Sequence, residues 1–473
     1  MSNQHAAVIV VGAGPTGLLL ASDLAEAGIA VLLLEKRSAE LSNLSRAFAV
    51  HARTLETLDA RGLADELLAR GGTRTGSVDL FGRATLRLSE LRSRFPYVLV
   101  TPQYRVEAVL RERAIAAGAE IHYDTEVTGV DQDADGVTAR TARGDLTGAY
   151  LVAADGVRSA VRESIGMPYP GEAVLRSLIL ADVELDSPPE QSPAIRGVRG
   201  AFGFVADFGD GQWRVVAWNR ENQQPDDAPV DLDELAAVTR RCFGTDFGMH
   251  SPKWMSRFHS DERQVPAYRD GRVLLAGDAA HCHSPAGGQG MNTGLQDAAN
   301  LGWKLAAVLR GAPAELLDTY HDERHPVGAM VLKSSGALVR FASTDSRLLG
   351  ALGEAGVALA MRLGPIAHRA MGMISGIDIH YGHDKIVGRR AEDIDLADGS
   401  RLYERLRGGR FVVLDGTADA RARTAVSAEL DGLARVVRPD GYIGWAGEDD
   451  PAAIAAYLDA HAGRSLKDER GSL

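Results

Sequence analysis

Residues 7–17 read AVIVVGAGPTG, and the fold turns on them. A short apolar run rich in β-branched residues is a strand buried on both faces, the texture of a parallel sheet. Gly12 then allows a tight turn, Gly14 lets backbone approach a pyrophosphate, and Gly17 lets helix and strand pack closely. A helix is predicted over 15–28, with Leu18, Leu19, Leu20, Leu24 and Ala27 apolar and Gly28 as its stop. A second buried strand over 29–34 ends at Glu35. The helix start offers unpaired N–H groups to phosphates, and the Glu35 carboxylate can accept both hydroxyl hydrogens of an adenosine ribose. A glycine turn alone would suit many α/β proteins; with strand, helix, second strand and terminal acid together, a dinucleotide site is the reading.

The rest of the composition agrees with an enzyme-sized globular protein. The 473 residues carry 52 Lys+Arg against 64 Asp+Glu, a net charge of −12, with 45% hydrophobic residues. That length allows two or three domains. The acidic balance argues against a nucleic-acid-binding face. The two cysteines, Cys242 and Cys282, make no disulfide framework, which points to a reducing cytoplasm. No apolar run of about 18 residues exists to cross a membrane, and residues 1–5 lack the basic start of a signal peptide.

Beyond Glu35 the pattern predicts an amphipathic helix over 52–70, strands within 77–101, a helix over 105–118, and strands at 120–123, 126–132, 136–142 and 150–154. Residues 175–220 change texture to repeated strand-like runs with aromatics, followed by a helix at 231–243. Buried-strand character returns at 272–277, then a long helix at 292–310 and a largely helical 318–375. A small α/β pattern closes the chain, with strands at 411–414 and 435–438 and helices near 420–430 and 451–461. The expected units are 1–174, an inserted sheet-rich 175–265, a return of the first unit over 266–384, and 385–473.

Two further motifs follow strands. Residues 151–162, LVAADGVRSAVR, end a strand in Asp155-Gly156. Residues 274–281, LLAGDAAH, lead through Ser284-Pro285-Ala286-Gly287-Gly288-Gln289-Gly290 to a helix starting near Asn292. Asp278 can accept a hydrogen bond from a polyol hydroxyl, and the N–H groups of Gly290, Met291 and Asn292 favour an anionic oxygen over that helix start. Glycines this dense are costly unless backbone must approach a ligand. His321 and His325 stand i, i+4 on a helix, a metal-ligand spacing, but no third ligand accompanies them and no metal is expected. In the middle segment Phe202 and Phe204 share one sheet face, while Trp213 and Trp218 fall on opposite faces. Phe202, Phe204 and Trp213 are the candidate wall of a substrate pocket, with an ordinary core as the alternative.

In their order and separation the three motifs resemble the class A FAD-dependent aromatic monooxygenases of the para-hydroxybenzoate hydroxylase type. Phe243-Gly244-Thr245-Asp246-Phe247 and Trp303-Lys304-Leu305 resemble the branch of rifampicin monooxygenase and the aromatic-polyketide hydroxylases. The resemblance implies an α/β fold: a Rossmann-like FAD-binding domain of the glutathione-reductase type, an inserted sheet-rich substrate domain and a C-terminal thioredoxin-like domain. It implies that Gly12, Gly14, Pro15, Thr16 and Gly17 hold the FAD pyrophosphate, Glu35 the adenosine ribose, and Lys36 and Val127 the adenine. By the same likeness Arg46 lies near the flavin and its phosphates, Gln103 and Asp278 at the ribityl chain, and Asp155 where FAD and nicotinamide cofactor meet the second motif. Gly290, Met291 and Asn292 face the pyrimidine edge, and Pro285 lies near the reactive carbon; Arg46 and Pro285 are the flavin-proximal catalytic candidates. Ala153, where the family has glycine, and Ser284, where it has proline, depart from the pattern.

The implied activity is hydroxylation of a polycyclic, polyketide-type phenol with NADPH or NADH as transient co-substrate and O2, through a flavin C4a-hydroperoxide. The alternatives are Baeyer–Villiger or inactivating oxygenation of an antibiotic such as a rifamycin, and a non-catalytic flavin-binding scaffold. The chain is expected to work as a monomer or homodimer.

Overall fold

The computed structural model describes residues 5–40, 47–80, 84–198, 200–285, 287–342, 364–427 and 432–463. Its largest sheet runs Arg269–Asp270, Val273–Leu275, Leu146–Ala153, His5–Val11, Val31–Leu34, Glu120–His122. The pairings from Val273–Leu275 through to Glu120–His122 are parallel. Val127–Gln132 and Val137–Thr141 add an antiparallel meander at the start of Leu146–Ala153. Parallel strands need covering on both faces, and Val8, Ile9, Val10, Leu33 and Leu34 are fully buried. The helix Pro15–Glu26 buries Leu18, Leu19, Leu20 and Leu24, each worth about 2–3 kcal/mol when removed from water. It meets the helix Gly290–Leu309 at Gly302, where a side chain would come 3.3 Å from Asp23 Cβ. The expected helix over 52–70 is broken into Ala52–Asp59 and Ala64–Ala69 at Gly62, whose φ is +76°.

The second sheet is antiparallel throughout, in the order Ala194–Val198, Ala201–Asp207, Trp213–Asn219, Gly171–Leu185, Met249–Gln264, His281–Cys282. It begins at Gly171, ahead of the expected 175, and takes its last strand from the segment that follows the insert. The helix Leu232–Phe243 covers one face, packing Leu235, Val238 and Cys242 onto Val183, Val205, Val215 and Ala217.

Near the C-terminus Ala422–Ala425, Phe411–Leu414, Ala434–Val437 and Ile443–Gly447 form a four-stranded mixed sheet followed by the helix Pro451–His461. The helix expected near 420–430 is instead, over its described part, a strand parallel to Phe411–Leu414. Alanine-rich Ala422–Ala425 has helical composition, but pairing with a buried neighbour overrides that propensity. This unit docks through arginines, Arg53 and Arg438 buried and Arg401 half-buried. Arg53 donates to Glu56 Oε2 at 3.1 Å, to Tyr403 Oη at 2.9 Å and to the Asp440 carbonyl at 2.6 Å. Arg438 donates to Glu323 at 2.7 Å and Arg401 to Asp59 at 2.9 Å. No helix among the described residues is long and apolar enough to cross a membrane.

Candidate functional site

Four strands of the parallel sheet end at one edge, and each delivers a motif there: Gly12 after His5–Val11, Glu35 after Val31–Leu34, Asp155 after Leu146–Ala153 and Gly277-Asp278 after Val273–Leu275. In α/β sheets such carboxyl ends are where ligands bind. The glycines there have different duties. A Cβ at Gly12, whose φ is +103°, would lie 2.4 Å from the Ala154 carbonyl oxygen, and one at Gly17 would lie 1.9 Å from the Gly12 oxygen. At Gly14 and Gly156 it would meet nothing within 4 Å. Thr16 fixes this turn against the third motif, because side chains at Gly277 and Gly294 would stand 2.8 and 2.4 Å from its Oγ1.

Gly12, Glu35, Lys36, Val127 and Asp155 line a cavity of about 230 Å³. Glu35 Oε2 accepts from the Ala13 N–H at 2.7 Å, and Arg37 grips both carboxylate oxygens at 3.1 and 3.2 Å. Burial would raise the Glu35 carboxyl, but the bonds from Arg37 and Ala13 outweigh it and hold the group below its usual range. Asp155 Oδ2 accepts from the Val161 N–H at 3.2 Å, while its buried Oδ1 has no partner. Burial raises this carboxyl.

Gly14, Ala154, Gly156 and Arg158 also line a second cavity of about 770 Å³. Its walls include Pro15, Thr16, Gln103, Asp278, Pro285, Gly290 and Met291. Gln103 donates from Nε2 to Glu107 at 2.7 Å. Two helices begin at this cavity without a side-chain cap: Pro15–Glu26 with Gly14 before it, and Gly290–Leu309 with Gln289 before it. Their first N–H groups are therefore left for a ligand. Arg46 lies outside the described residues. Asn292 does not line the cavity with its side chain. It clasps the loop instead, accepting from the His51 N–H at 2.8 Å and donating to the carbonyls of Ala49 and Gly288 at 2.9 and 2.8 Å.

Behind the loop, fully buried Asp297 accepts from Arg324 at 2.7 Å and from the Gly277 N–H at 3.1 Å, and its Oδ2 lies 2.6 Å from His281 Nε2. That cluster sets the loop's course. His283 lines the 770 Å³ cavity, and burial pushes its imidazole down to about 4.

A third cavity, of about 170 Å³, is walled by Phe48, Phe202, Phe204, Val78, Leu86, Leu88 and other aliphatic side chains. It shares Phe48, Ser284, Pro285 and Gly288 with the large cavity, so the two adjoin across the Pro285 loop. Phe48 and Phe204 stand 4.7 Å apart. Trp213 corrects the expected wall. It pairs with Asp207 and Val183 and packs on the other face of the sheet, beside the helix Leu232–Phe243. Its partner in that strand, Trp218, stands opposite Phe202, stacked at 6.1 Å. An odd separation along a strand puts the two tryptophans on opposite faces.

Sequence reading missed Arg37, Arg158, Phe48 and His51. Arg158 stood inside the second motif and could have been found; His51 carried no local signal. His321 and His325 serve the neighbouring backbone: His321 Nδ1 accepts from the Tyr268 N–H at 3.3 Å, and His325 Nε2 lies 3.1 Å from the Val265 oxygen.

The arrangement suits FAD. An open glycine edge, an orphaned buried carboxylate oxygen and two uncapped helix starts line two adjoining cavities of about 770 and 230 Å³. Comparison with known proteins agrees. A family described as FAD binding domain matches residues 5–335. Rifampicin monooxygenase from Streptomyces venezuelae is 41% identical over 467 residues, covering 93% of this chain and 96% of that protein. Dialkyldecalin synthase from Streptomyces rugosporus is 36% identical, over 94% and 96%. The solved structure of anhydrotetracycline hydroxylase from Streptomyces rimosus superposes with a TM-score of 0.86 at 35% identity, over 98% of this chain and 100% of that one. From the first glycine turn to the helices beyond the third motif, the chain belongs to the FAD-dependent monooxygenase family.

Proposed function

We propose that this chain hydroxylates a polycyclic aromatic phenol, with NAD(P)H and O2 as co-substrates. The observation that carries this reading is the apolar, phenylalanine-walled chamber adjoining the dinucleotide cavity across the Pro285 loop. FAD, when bound, supplies the electron transfer from NAD(P)H to O2 and the delivery of one oxygen atom. The protein's own work is placement. Gly12, Gly14, Pro15, Thr16 and Gly17 would bind the pyrophosphate, Glu35 the ribose, Lys36 and Val127 the adenine. Gln103 and Asp278 would bind the ribityl chain, and Arg158 and Asp155 would face the middle of the cofactor. The positive end of the helix Gly290–Leu309 opens on the same cavity and would stabilise negative charge on the bound cofactor. Pro285 and the apolar walls would hold the substrate ring against the cofactor and keep water out.

We assign 1–174 and 266–384 to cofactor binding, 175–265 to the substrate and 385–473 to a thioredoxin-like unit. The last contains no cysteine, so thiol chemistry is excluded from it and an architectural role remains. The 41% identity to a rifampicin monooxygenase favours a second reading, oxygenation that inactivates an antibiotic. Purified holoenzyme supplied with NADPH and a hydroxylated anthracycline-type phenol tests both readings. Phenol-stimulated NADPH oxidation with a product heavier by one oxygen and an intact ring system supports hydroxylation. A ring-opened product supports the second reading. Conversion without NADPH consumption would refute both and align the chain with its synthase relative.

A further inference from the structure

Among the described residues whose side chains line the apolar chamber, none is Lys, Arg, Asp or Glu, and His51 is the sole ionisable one. It is almost wholly buried, 3% exposed. Its Nε2 lies 2.9 Å from the Gly287 carbonyl oxygen. A carbonyl can only accept, so Nε2 carries the hydrogen and Nδ1 presents a lone pair. That Nδ1 is buried without a partner, the one orphaned side-chain atom among the described residues lining the chamber. Burial, opposed by the Gly287 and Gly288 carbonyls, pushes the imidazole down to about 4, so the ring stays a neutral acceptor under ordinary conditions.

We propose that His51 Nδ1 is the specificity-determining acceptor of the substrate chamber, taking a hydrogen bond from a hydroxyl of the bound ring system and so selecting an uncharged polycyclic phenol. The inference rests on the hydroxylase reading and adds what that reading lacks. An unpaired buried acceptor disfavours any ligand that leaves it unpaired, so a ring system without a hydroxyl is discriminated against. A carboxylated ligand is discriminated against more strongly, since no cation among the described lining residues is there to pair with it. No proton leaves the substrate in this step; the hydroxyl O–H is shared with Nδ1, and the Nε2–H stays on the Gly287 oxygen.

The test is equilibrium binding to oxidised holoenzyme without NADPH, read from perturbation of the flavin spectrum. The probes are 2-hydroxyanthraquinone, anthraquinone and anthraquinone-2-carboxylate, at a pH below the phenol's own pKa. Wild type is expected to prefer the phenol over anthraquinone by about tenfold, the factor carried by one good hydrogen bond, and to bind the carboxylate weakest. His51→Gln keeps a donor at the ε position for Gly287 but has no acceptor at the δ position, and is expected to bind phenol and anthraquinone alike with unchanged flavin content. His51→Asn keeps an acceptor near the δ position and is expected to retain the preference. Full preference in His51→Gln, equal loss in both variants, or carboxylate binding as tight as phenol in wild type overturns the proposal. Wild type that binds none of the three probes brings down the hydroxylase reading along with it. Phenol-stimulated NADPH oxidation with an unchanged preference in His51→Gln brings down this inference alone.

Discussion

At Gly14 an added Cβ would meet no atom within 4 Å, whereas at Gly17 it would stand 1.9 Å from backbone. The two glycines of one motif should therefore fail differently. Gly14 has an extended backbone, with φ −75° and ψ 178°, which alanine adopts without strain. We expect Gly14→Ala to leave the apo-protein's Tm within about 2 °C of wild type, since nothing is displaced. Its methyl group enters the phosphate cavity, so FAD affinity should fall by about tenfold or more, about 1.4 kcal/mol. Gly17→Ala forces helix from strand and should lower Tm by about 5 °C or more even without cofactor. Thermal unfolding and flavin titration of both variants check this; equal Tm losses would mean that Gly14 serves packing and not the cofactor. Both glycines were legible in the sequence, because their demands are local to a strand–turn–helix. His51 was not. Its importance comes from a carbonyl at Gly287 and from walls supplied by distant segments.

The segment from His281 to Asn292 shows what an element adds to its residues. Asp297 fixes its start, Asn292 clasps its end to the Ala49–Val50 strand, and His283 and His51 are held neutral along it. Both rings are pushed from 6.5 to about 4, chiefly by burial; His281 adds to the effect at His283. A folded-state pKa below the unfolded one means that the unfolded chain binds more protons between those limits. Stability from these rings is thus fully present above about pH 6.5 and is lost as pH falls toward about 4. For His51 the loss can reach about 3 kcal/mol; for His283, a residue only half-buried as a whole, it is smaller. Urea midpoints from pH 7 down to pH 4 should fall steeply for wild type and less steeply for His51→Gln. Identical slopes would show that neither the ring nor its burial governs the acid side. At this scale the sequence showed the glycine-rich loop and the helix that follows it. It misassigned Trp213 because alternation tells which residues share a face, not which face meets the chamber. It also read a strand as the helix near 420–430, because Ala422–Ala425 takes its form from pairing with Phe411–Leu414.

Across the whole molecule, the link between the cofactor sheet and the C-terminal unit runs through charges that no sequence pattern marked, since the partners across it lie more than a hundred residues apart. Arg53, 1% exposed, starts on the helix that follows the Ala49–Val50 strand and reaches the Tyr403 hydroxyl and the Asp440 carbonyl. Glu56 beneath it also receives Arg390 at 3.1 Å. The Arg53 guanidinium lies 4.8 Å from the centre of the Tyr442 ring. Removing the guanidinium leaves Glu56 with Arg390, which softens the usual 3–5 kcal/mol penalty of a broken buried pair to about 3 kcal/mol. The loss falls on docking, because the parallel sheet keeps all its own contacts. We therefore expect Arg53→Met, which keeps most of the stem's volume, to split one cooperative urea transition into two. The C-terminal unit should release first while flavin stays bound, so tryptophan fluorescence should change before flavin fluorescence, with Trp445 as the local reporter. A double-mutant cycle with Tyr403→Phe should return a coupling of about 1 kcal/mol or more, as expected for a charged hydrogen bond between buried partners. A single transition at the wild-type midpoint, or additive effects in the cycle, would mean that the two units are joined by their apolar contacts and that Arg53 is a bystander in the interface.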